Sequence, residues 1–440
     1  MEFENIRIKE LKLALLCIII GVFSGLSAVI FRWMVHLFHN LMWNEVKQWF
    51  SFTGMISNLI IPIIGLLLVS SLIHFSLARK EQKHGVTEVI RAIKTKEGKI
   101  PHYIAPIEAL ASSFCIGSGG SVGPEGPMVQ IGAGIGSSIG QIFKISSEEL
   151  KILTIAGASG GLSAIFNAPI AGVFFAMEAV VKKFHSKIFF YFVLSSVTAT
   201  QIYRLICGNT HLLNITDAIW GSWKELLIFL MLGIIGGIVG AIIIFSVNKA
   251  ENKLKEQAFH FILSPIAGGA VLGVFALCLP QVLGEGYETI ALTLKNNIPI
   301  NMILLLSIAK IFATSITLGS GGSGGVFAPS LVLGALLGGG FSNFAASFFP
   351  NIIGSHETYI AAGIAAVLSS VFNAPITSII MVIELSNNYN IALPLMVASV
   401  SASYICNLFF KGCSVYDLDL VKEGIREKEP EFFFTKSSVS

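Results

Sequence analysis

Charge is what this sequence has least of. Only 12% of its 440 residues are Asp, Glu, Lys or Arg, against roughly 25% in an ordinary soluble domain. Hydrophobic residues make up 54%, and the mean hydropathy is +0.77. A chain of this kind is solvated by lipid rather than water. The net charge of +3 is too small to argue for nucleic acid, and the basic residues sit in short loops, so no nucleic-acid partner is expected. Six cysteines (Cys17, Cys115, Cys207, Cys278, Cys406 and Cys413) show no CxxC or Cys/His spacing, and the nine histidines are scattered. No metal and no cofactor is therefore expected. There is no HExxH run and no nucleophile paired with a base, which argues against a membrane-embedded enzyme. The apolar run from about Leu13 lacks a small-residue cleavage site, so it reads as a retained first span.

What is present is a succession of apolar segments, near 12–38, 54–77, 104–116, 126–142, 149–163, 169–182, 188–207, 223–247, 260–280, 300–317, 327–349, 357–367, 375–385 and 390–410. The fold class expected is an all-α, multi-pass integral membrane protein. Several segments fall short of the ~20 residues that cross a bilayer. Short, Gly/Pro-interrupted segments predict broken or re-entrant helices, tolerated only where the backbone is buried in protein or lines a cavity. The stretch 78–101 carries Arg79, Lys80, Lys83, Arg91, Lys94, Lys96 and Lys99, and the N-terminus carries Arg7, Lys9 and Lys12. By the positive-inside rule these face the cytoplasm, and the charged tail from Lys411 puts both termini there. The loop 38–52 has one lysine and the loop 208–222 none, and both are expected outside.

One stretch stands apart. Gly117–Gly140, GSGGSVGPEGPMVQIGAGIGSSIG, sets the acid Glu125 among glycines and small residues. An ionisable residue inside a membrane is costly and marks a pathway by default. The glycines permit a turn, Pro124 suits the start of a helix, and the small residues from Gly126 suit tight packing. The N-terminus predicted there attracts anions through its free N–H groups and dipole. Glu125 either caps its own helix or occupies a place that an anion would take.

The chain also repeats itself. Gly117-Ser-Gly-Gly120 recurs as Gly319-Ser-Gly-Gly322, an offset of 202, and Phe166-Asn-Ala-Pro-Ile170 as Phe372-Asn-Ala-Pro-Ile376, an offset of 206. Carried through, these set Glu125 on Phe327, Pro127 on Pro329 and Glu178 on Glu384. Repeat one is placed at about 54–207 and repeat two at about 223–410, within a transmembrane domain of 1–410, with a short cytoplasmic tail at 411–440. If the repeats are inverted, helix ends at Glu125 and Phe327 face each other across the membrane centre. Two positive ends would then make a site for a small anion.

These motifs resemble the CLC family of chloride channels and proton-coupled chloride transporters. GPEGP at 123–127 is similar to that family's GREGP, GSGGSGGVFAP at 319–329 to its GSGxPGGxFAP, and both Asn-Ala-Pro motifs fall where expected. The resemblance implies inverted repeats and a homodimer with an anion pathway in each subunit, in a bacterial plasma membrane. It implies that Glu125 is the gating glutamate and that Gly126, Val326 and Phe327 border the anion site. Tyr416, in SVYDLDL, is implied to offer its hydroxyl from the cytoplasmic side. Many members carry C-terminal CBS domains; none is read here.

Three positions depart from the family pattern. His84 stands where the family's anion-coordinating serine is expected. It is either a site residue that makes transport pH-dependent, since histidine titrates near neutrality, or a solvated loop residue. Pro124 replaces the family's arginine and lacks an N–H. Ala179 aligns with the exchangers' proton-relaying glutamate, one residue after Glu178. Alanine carries no proton, so the expectation is an uncoupled or weakly coupled conductor of chloride or similar anions. The alternatives are a proton-coupled antiporter with another proton route and a structural part, capping or ion pairing, for Glu178.

Overall fold

A computed structural model describes residues 2–49, 56–76, 85–182, 186–209, 213, 215, 218–255 and 260–425. Among the described residues the regular elements are helices, joined at one point by an isolated antiparallel bridge between Gly123 and Gly325. Helix α1 (Glu2–Asn40) continues through a π-helical turn at Leu41–Val46 into α2 (Lys47–Trp49). There follow α3 (Ile56–Phe75), α4 (Val86–Thr95), α5 (Ile104–Gly117), α6 (Glu125–Ile142) and α7 (Ser147–Phe166). The first half ends with α8 (Pro169–Phe175), its π-helical extension Ala176–Val181, and α9 (Ser186–Cys207). The second half runs α10 (Glu225–Lys255), α11 (His260–Cys278), α12 (Tyr287–Leu294), α13 (Ile300–Gly319) and α14 (Phe327–Phe348). It continues through α15 (His356–Phe372), α16 (Pro375–Ser386) and α17 (Ala392–Phe410) to the short α18 (Leu418–Lys422).

Nine helices among the described residues are long and apolar enough to cross a membrane, while α5, α8 with its extension, α15 and α16 are apolar but shorter. The protein is a multi-pass integral membrane protein. The short helices α4 and α12 lie outside the apolar segments, α4 because it is amphipathic and α12 because it has only eight residues. The segment expected to end at 367 runs on to Phe372. Ser369 and Ser370 interrupt the apolar run but not the helix: the Ser369 hydroxyl donates to Ser399 O (2.7 Å) and that of Ser370 to Val367 O (2.8 Å).

The two halves are built alike. Helices α6 and α7 touch backbone to backbone at Gly132 and Gly157, where a Cβ on Gly132 would lie 2.1 Å from the Gly157 carbonyl oxygen. Helices α14 and α15 do the same at Gly334 and Gly363, with a Cβ on Gly363 2.4 Å from Gly334 O. Only glycine allows that approach. Each Asn-Ala-Pro motif ends one helix and starts the next. Asn167 and Asn373 close α7 and α15 in the left-handed conformation (φ +57° and +48°), and Pro169 and Pro375 open α8 and α16. Asparagine tolerates that conformation, and a first-turn proline has no N–H to leave unpaired. Helix α1 packs on α7 and α9 as α10 packs on α15 and α17, a correspondence that no motif carries.

Candidate functional site

The site forms where two glycine-rich loops meet. Helix α5 ends at Gly117, Gly119 turns the chain with φ +96°, and α6 begins at Glu125, preceded by Pro124 as its N-cap. In the other half α13 ends at Gly319, Gly321 turns with φ +86°, and α14 begins at Phe327 after the N-cap Val326. The loops lie antiparallel and exchange two hydrogen bonds, Gly123 N to Gly325 O and Gly325 N to Gly123 O, both 2.8 Å. That reciprocal pairing brings the N-termini of α6 and α14 together.

Glu125 is 1% exposed. Its Oε1 accepts hydrogen bonds from the backbone N–H of Phe327 and, at 3.3 Å, of Ala328. The carboxylate thus sits on the N-terminus of the opposite helix, where free N–H groups and the positive dipole end favour an anion. These two hydrogen bonds run to the opposite helix, α14, and not to α6, which Glu125 itself begins. Its Oε2 has no hydrogen-bond partner among the described residues, and neither has the Tyr416 hydroxyl.

A column of rings borders these groups. Phe327 lies between the repeat-related Phe166 (centroids 5.0 Å apart, 39° tilt) and Phe372 (5.0 Å, 18°). Phe372 stacks in turn on Tyr416 (5.3 Å, 21°), whose other neighbour is Phe175, edge-on at 6.4 Å. Tyr416 is buried and sits within a turn in which Asp417 accepts from Ser414 N and Oγ (2.9 and 2.8 Å) and pairs with Lys182 at 3.0 Å.

Two cavities are lined by the residues that flank Glu125 in the chain. One, of about 730 Å³, is lined by Gly85, Gly126, Gly325, Val326 and Tyr416, and also by Lys422 and Glu423. The other, of about 750 Å³, is lined by Pro124, Phe166, Arg32, Tyr203 and Glu285. Gly126 and Val326, named with Tyr416 from the sequence, therefore share one wall. His84 lies outside the described residues. Its neighbour Gly85 (φ +70°) starts α4 and donates its N–H to Gln130 Oε1.

Ala179 is buried in the π-helical turn Ala176–Val181. Glu178 beside it accepts from the N–H groups of Ile376 (3.1 Å) and Thr377 (2.7 Å) and from the Thr377 hydroxyl (2.7 Å). It caps α16, which is the structural part expected as the alternative to a relay.

Sequence reasoning passed over several buried charges, Glu108 and Lys310 among them. Glu108 in α5 accepts from the hydroxyls of Ser112 (3.1 Å) and Ser323 (2.8 Å). Lys310 in α13 donates to the carbonyls of Val282 (3.0 Å) and Gly284 (2.9 Å). The signal was available: the offset of 202 sets Glu108 on Lys310, so the repeats carry opposite charges at one position.

Comparison with known proteins agrees with this architecture. Residues 65–407 match the family model described as voltage gated chloride channel. The H(+)/Cl(-) exchange transporter ClcA of Vibrio cholerae serotype O1 (strain M66-2) is 29% identical over 408 residues, covering 89% of this chain and 86% of the relative. That of Yersinia pestis bv. Antiqua (strain Angola) is 32% identical over 336 residues, covering 74% and 70%. Among solved structures, a slow cyanobacterial Cl-/H+ antiporter superposes with a TM-score of 0.84 at 24% identity, covering 95% of this chain and 99% of that one. A CLC-type fluoride/proton antiporter gives 0.78 at 24%, covering 92% and 96%. These structural likenesses establish the fold. With paired glycine loops, opposed helix N-termini and a family match over most of its length, this chain belongs to the voltage gated chloride channel family, the CLC family that its motifs resemble.

Proposed function

We propose that the chain moves chloride or a similar small anion across the membrane in exchange for protons, with Glu125 as the gate. The observation that carries this reading is the Glu125 carboxylate seated on the N-terminus of α14, with a cavity lined by the residue on either side of it in the chain. While ionised, it fills the place that a mobile anion would take. Protonation removes its charge and weakens its charge-assisted bonds to the Phe327 and Ala328 N–H groups. The neutral side chain can then leave, and an anion can accept those N–H groups with the Tyr416 hydroxyl turned towards it. One proton on Glu125 is thereby linked to one anion in the site. The names of the relatives, proton/chloride exchangers, support coupling over passive conduction.

A second reading keeps one specific observation. Ala179 stands at the family's relay position and carries no proton, and Glu178 is occupied as a cap, which favours uncoupled conduction. Reversal potential across a pH gradient at fixed chloride separates the two: it shifts with pH for an exchanger and stays for a channel. Anion efflux from chloride-loaded liposomes tests the shared premise. Efflux that does not change in Glu125→Gln would sink both.

The reading includes a homodimer with one pathway per subunit, a bacterial plasma membrane, and cytoplasmic termini. The cavity lined by Lys422 and Glu423 is then the inner one, and the cavity at Pro124 the outer. The two repeats supply the two opposed helix ends.

A further inference from the structure

We propose that Glu285 is the outer proton acceptor of this site, a carboxylate that takes a proton from the external solution and passes it to Glu125. The inference rests on the reading of Glu125 as a protonatable gate.

Glu285 is not a loose loop side chain. Lys310, buried in α13, donates to the carbonyls of Val282 and Gly284 on the near side of it. The Gly284 N–H reaches the Gly119 carbonyl at 3.4 Å, which ties the same loop to the glycine turn before Glu125. Gly284 and Gly286 on either side adopt φ +57° and +83°, where other residues are strained. The loop therefore presents Glu285 to the cavity that is also lined by Pro124, the residue before Glu125.

The repeat gives an independent reason for that placement. Gly286 starts α12 with a positive φ (+83°) as Gly85 starts α4 (+70°), 201 residues earlier. Glu285 is thus the counterpart of His84, the position that the family resemblance sets beside the anion on the other flank.

The charged and titratable groups around Glu285 come from several elements. Arg32 (α1) and Lys310 (α13) act on it as cations, and Glu125 (α6) as an anion. Tyr287 follows on its own element, and Tyr203 (α9) accepts a 2.6 Å hydrogen bond from Arg32. His36, His39 and Glu288 line the same cavity. Burial lifts the Glu285 carboxyl to about 7, against the pull of Arg32 and Lys310 in the other direction. A group of that kind changes charge in the range where external pH varies.

Two carboxylates facing one cavity do not ionise independently. External acid first protonates Glu285. The Glu285 O–H bond then breaks, an O–H bond forms on Glu125 Oε2, which has no partner among the described residues, and Glu285 returns to the carboxylate; the neutral Glu125 side chain can then leave α14. Ionised Glu285 also disfavours ionised Glu125, so its charge shifts gating towards higher pH.

The test is the external-pH profile of anion efflux from liposomes, each variant normalised to its own acid plateau. Glu285→Gln should move the midpoint to lower pH by on the order of half a unit, and Glu285→Asp should restore it. An unmoved midpoint in Glu285→Gln, or equal shifts in the Gln and Asp variants, overturns the proposal. If Glu285→Gln gives no efflux at any pH, Glu285→Ala decides, because loss of the carboxylate should again move the midpoint to lower pH; an unmoved midpoint again overturns it. Absence of any Glu125-dependent efflux in the natural chain would instead refute the gate reading itself.

Discussion

Glu178 and Glu384 each cap the helix that follows the Asn-Ala-Pro motif of the other half. Glu178 accepts from Ile376 and Thr377 at the start of α16, and Glu384 from Ile170 (3.0 Å) and Ala171 (2.7 Å) at the start of α8. The exchange is reciprocal, so the two acids clasp the halves together at positions that the repeat makes equivalent. A carboxylate on a helix N-terminus satisfies N–H groups that otherwise have no partner.

Equivalence makes a prediction. Glu178→Gln and Glu384→Gln should each lower stability by a similar amount, about 1–3 kcal/mol for lost charge-assisted bonds, read as matching falls in melting temperature in detergent. A relay would break the symmetry: proton flux would fall in Glu178→Gln alone, without the loss of stability.

The loops at the gate leave no space for side chains. A Cβ on Gly123 would stand 2.1 Å from Glu125 Oε2, and one on Gly325 2.3 Å from Oε1. Neither contact can be relieved while the carboxylate stays on α14. Gly123→Ala is therefore expected to displace Glu125 and give anion efflux with little dependence on pH, as Glu125→Gln would. Efflux from Gly123→Ala with the pH profile of the natural chain would show that Glu125 does not work from this seat.

Much of this arrangement was legible in the sequence, for a physical reason. Glycine turns, a helix-starting proline and an acid in an apolar stretch each restrict the local backbone, so Gly117–Glu125 and Gly319–Phe327 revealed two helix ends and their pairing. The repeat offsets then set Phe327 opposite Glu125. What could not be read was where side chains go once two distant segments meet. Nothing local to Glu125 says that its carboxylate reaches Phe327 N, and nothing local to Glu178 says that it reaches α16. Lys310 and Glu285 were overlooked for a related reason. A lone lysine in an apolar helix and an acid in a polar loop look ordinary until the 282–286 loop is seen folded onto one and presenting the other.

Tyr416 and Phe327 should separate binding from packing. Tyr416→Phe removes a hydroxyl that has no partner among the described residues but keeps the ring that stacks on Phe372. It is expected to weaken anion binding by roughly three- to tenfold, the worth of one hydrogen bond, with melting unchanged. Phe327→Ala empties the place between Phe166 and Phe372 and should cost about 3–5 kcal/mol of stability. Chloride titration calorimetry and thermal melting of both variants check the contrast. Equal chloride affinity in Tyr416→Phe and the natural chain would remove the hydroxyl from the site.

The sharpest question is put by Ala179. It is 4% exposed, in a π-helical turn beside the Glu178 cap, and turns of that kind often sit at functional positions. If protons already cross by another route, Ala179→Glu adds a redundant carboxylate and the reversal potential in a pH gradient stays where it was. If the natural chain conducts without coupling, the new acid supplies the missing inner station and the reversal potential moves towards that of an exchanger. Burying a carboxyl there also costs stability, about 1–3 kcal/mol if it finds no partner, so melting is measured alongside. A shift in the variant but not in the natural chain identifies a channel that lacks one residue of an exchanger; a pH-dependent potential in both identifies an exchanger whose protons do not need position 179.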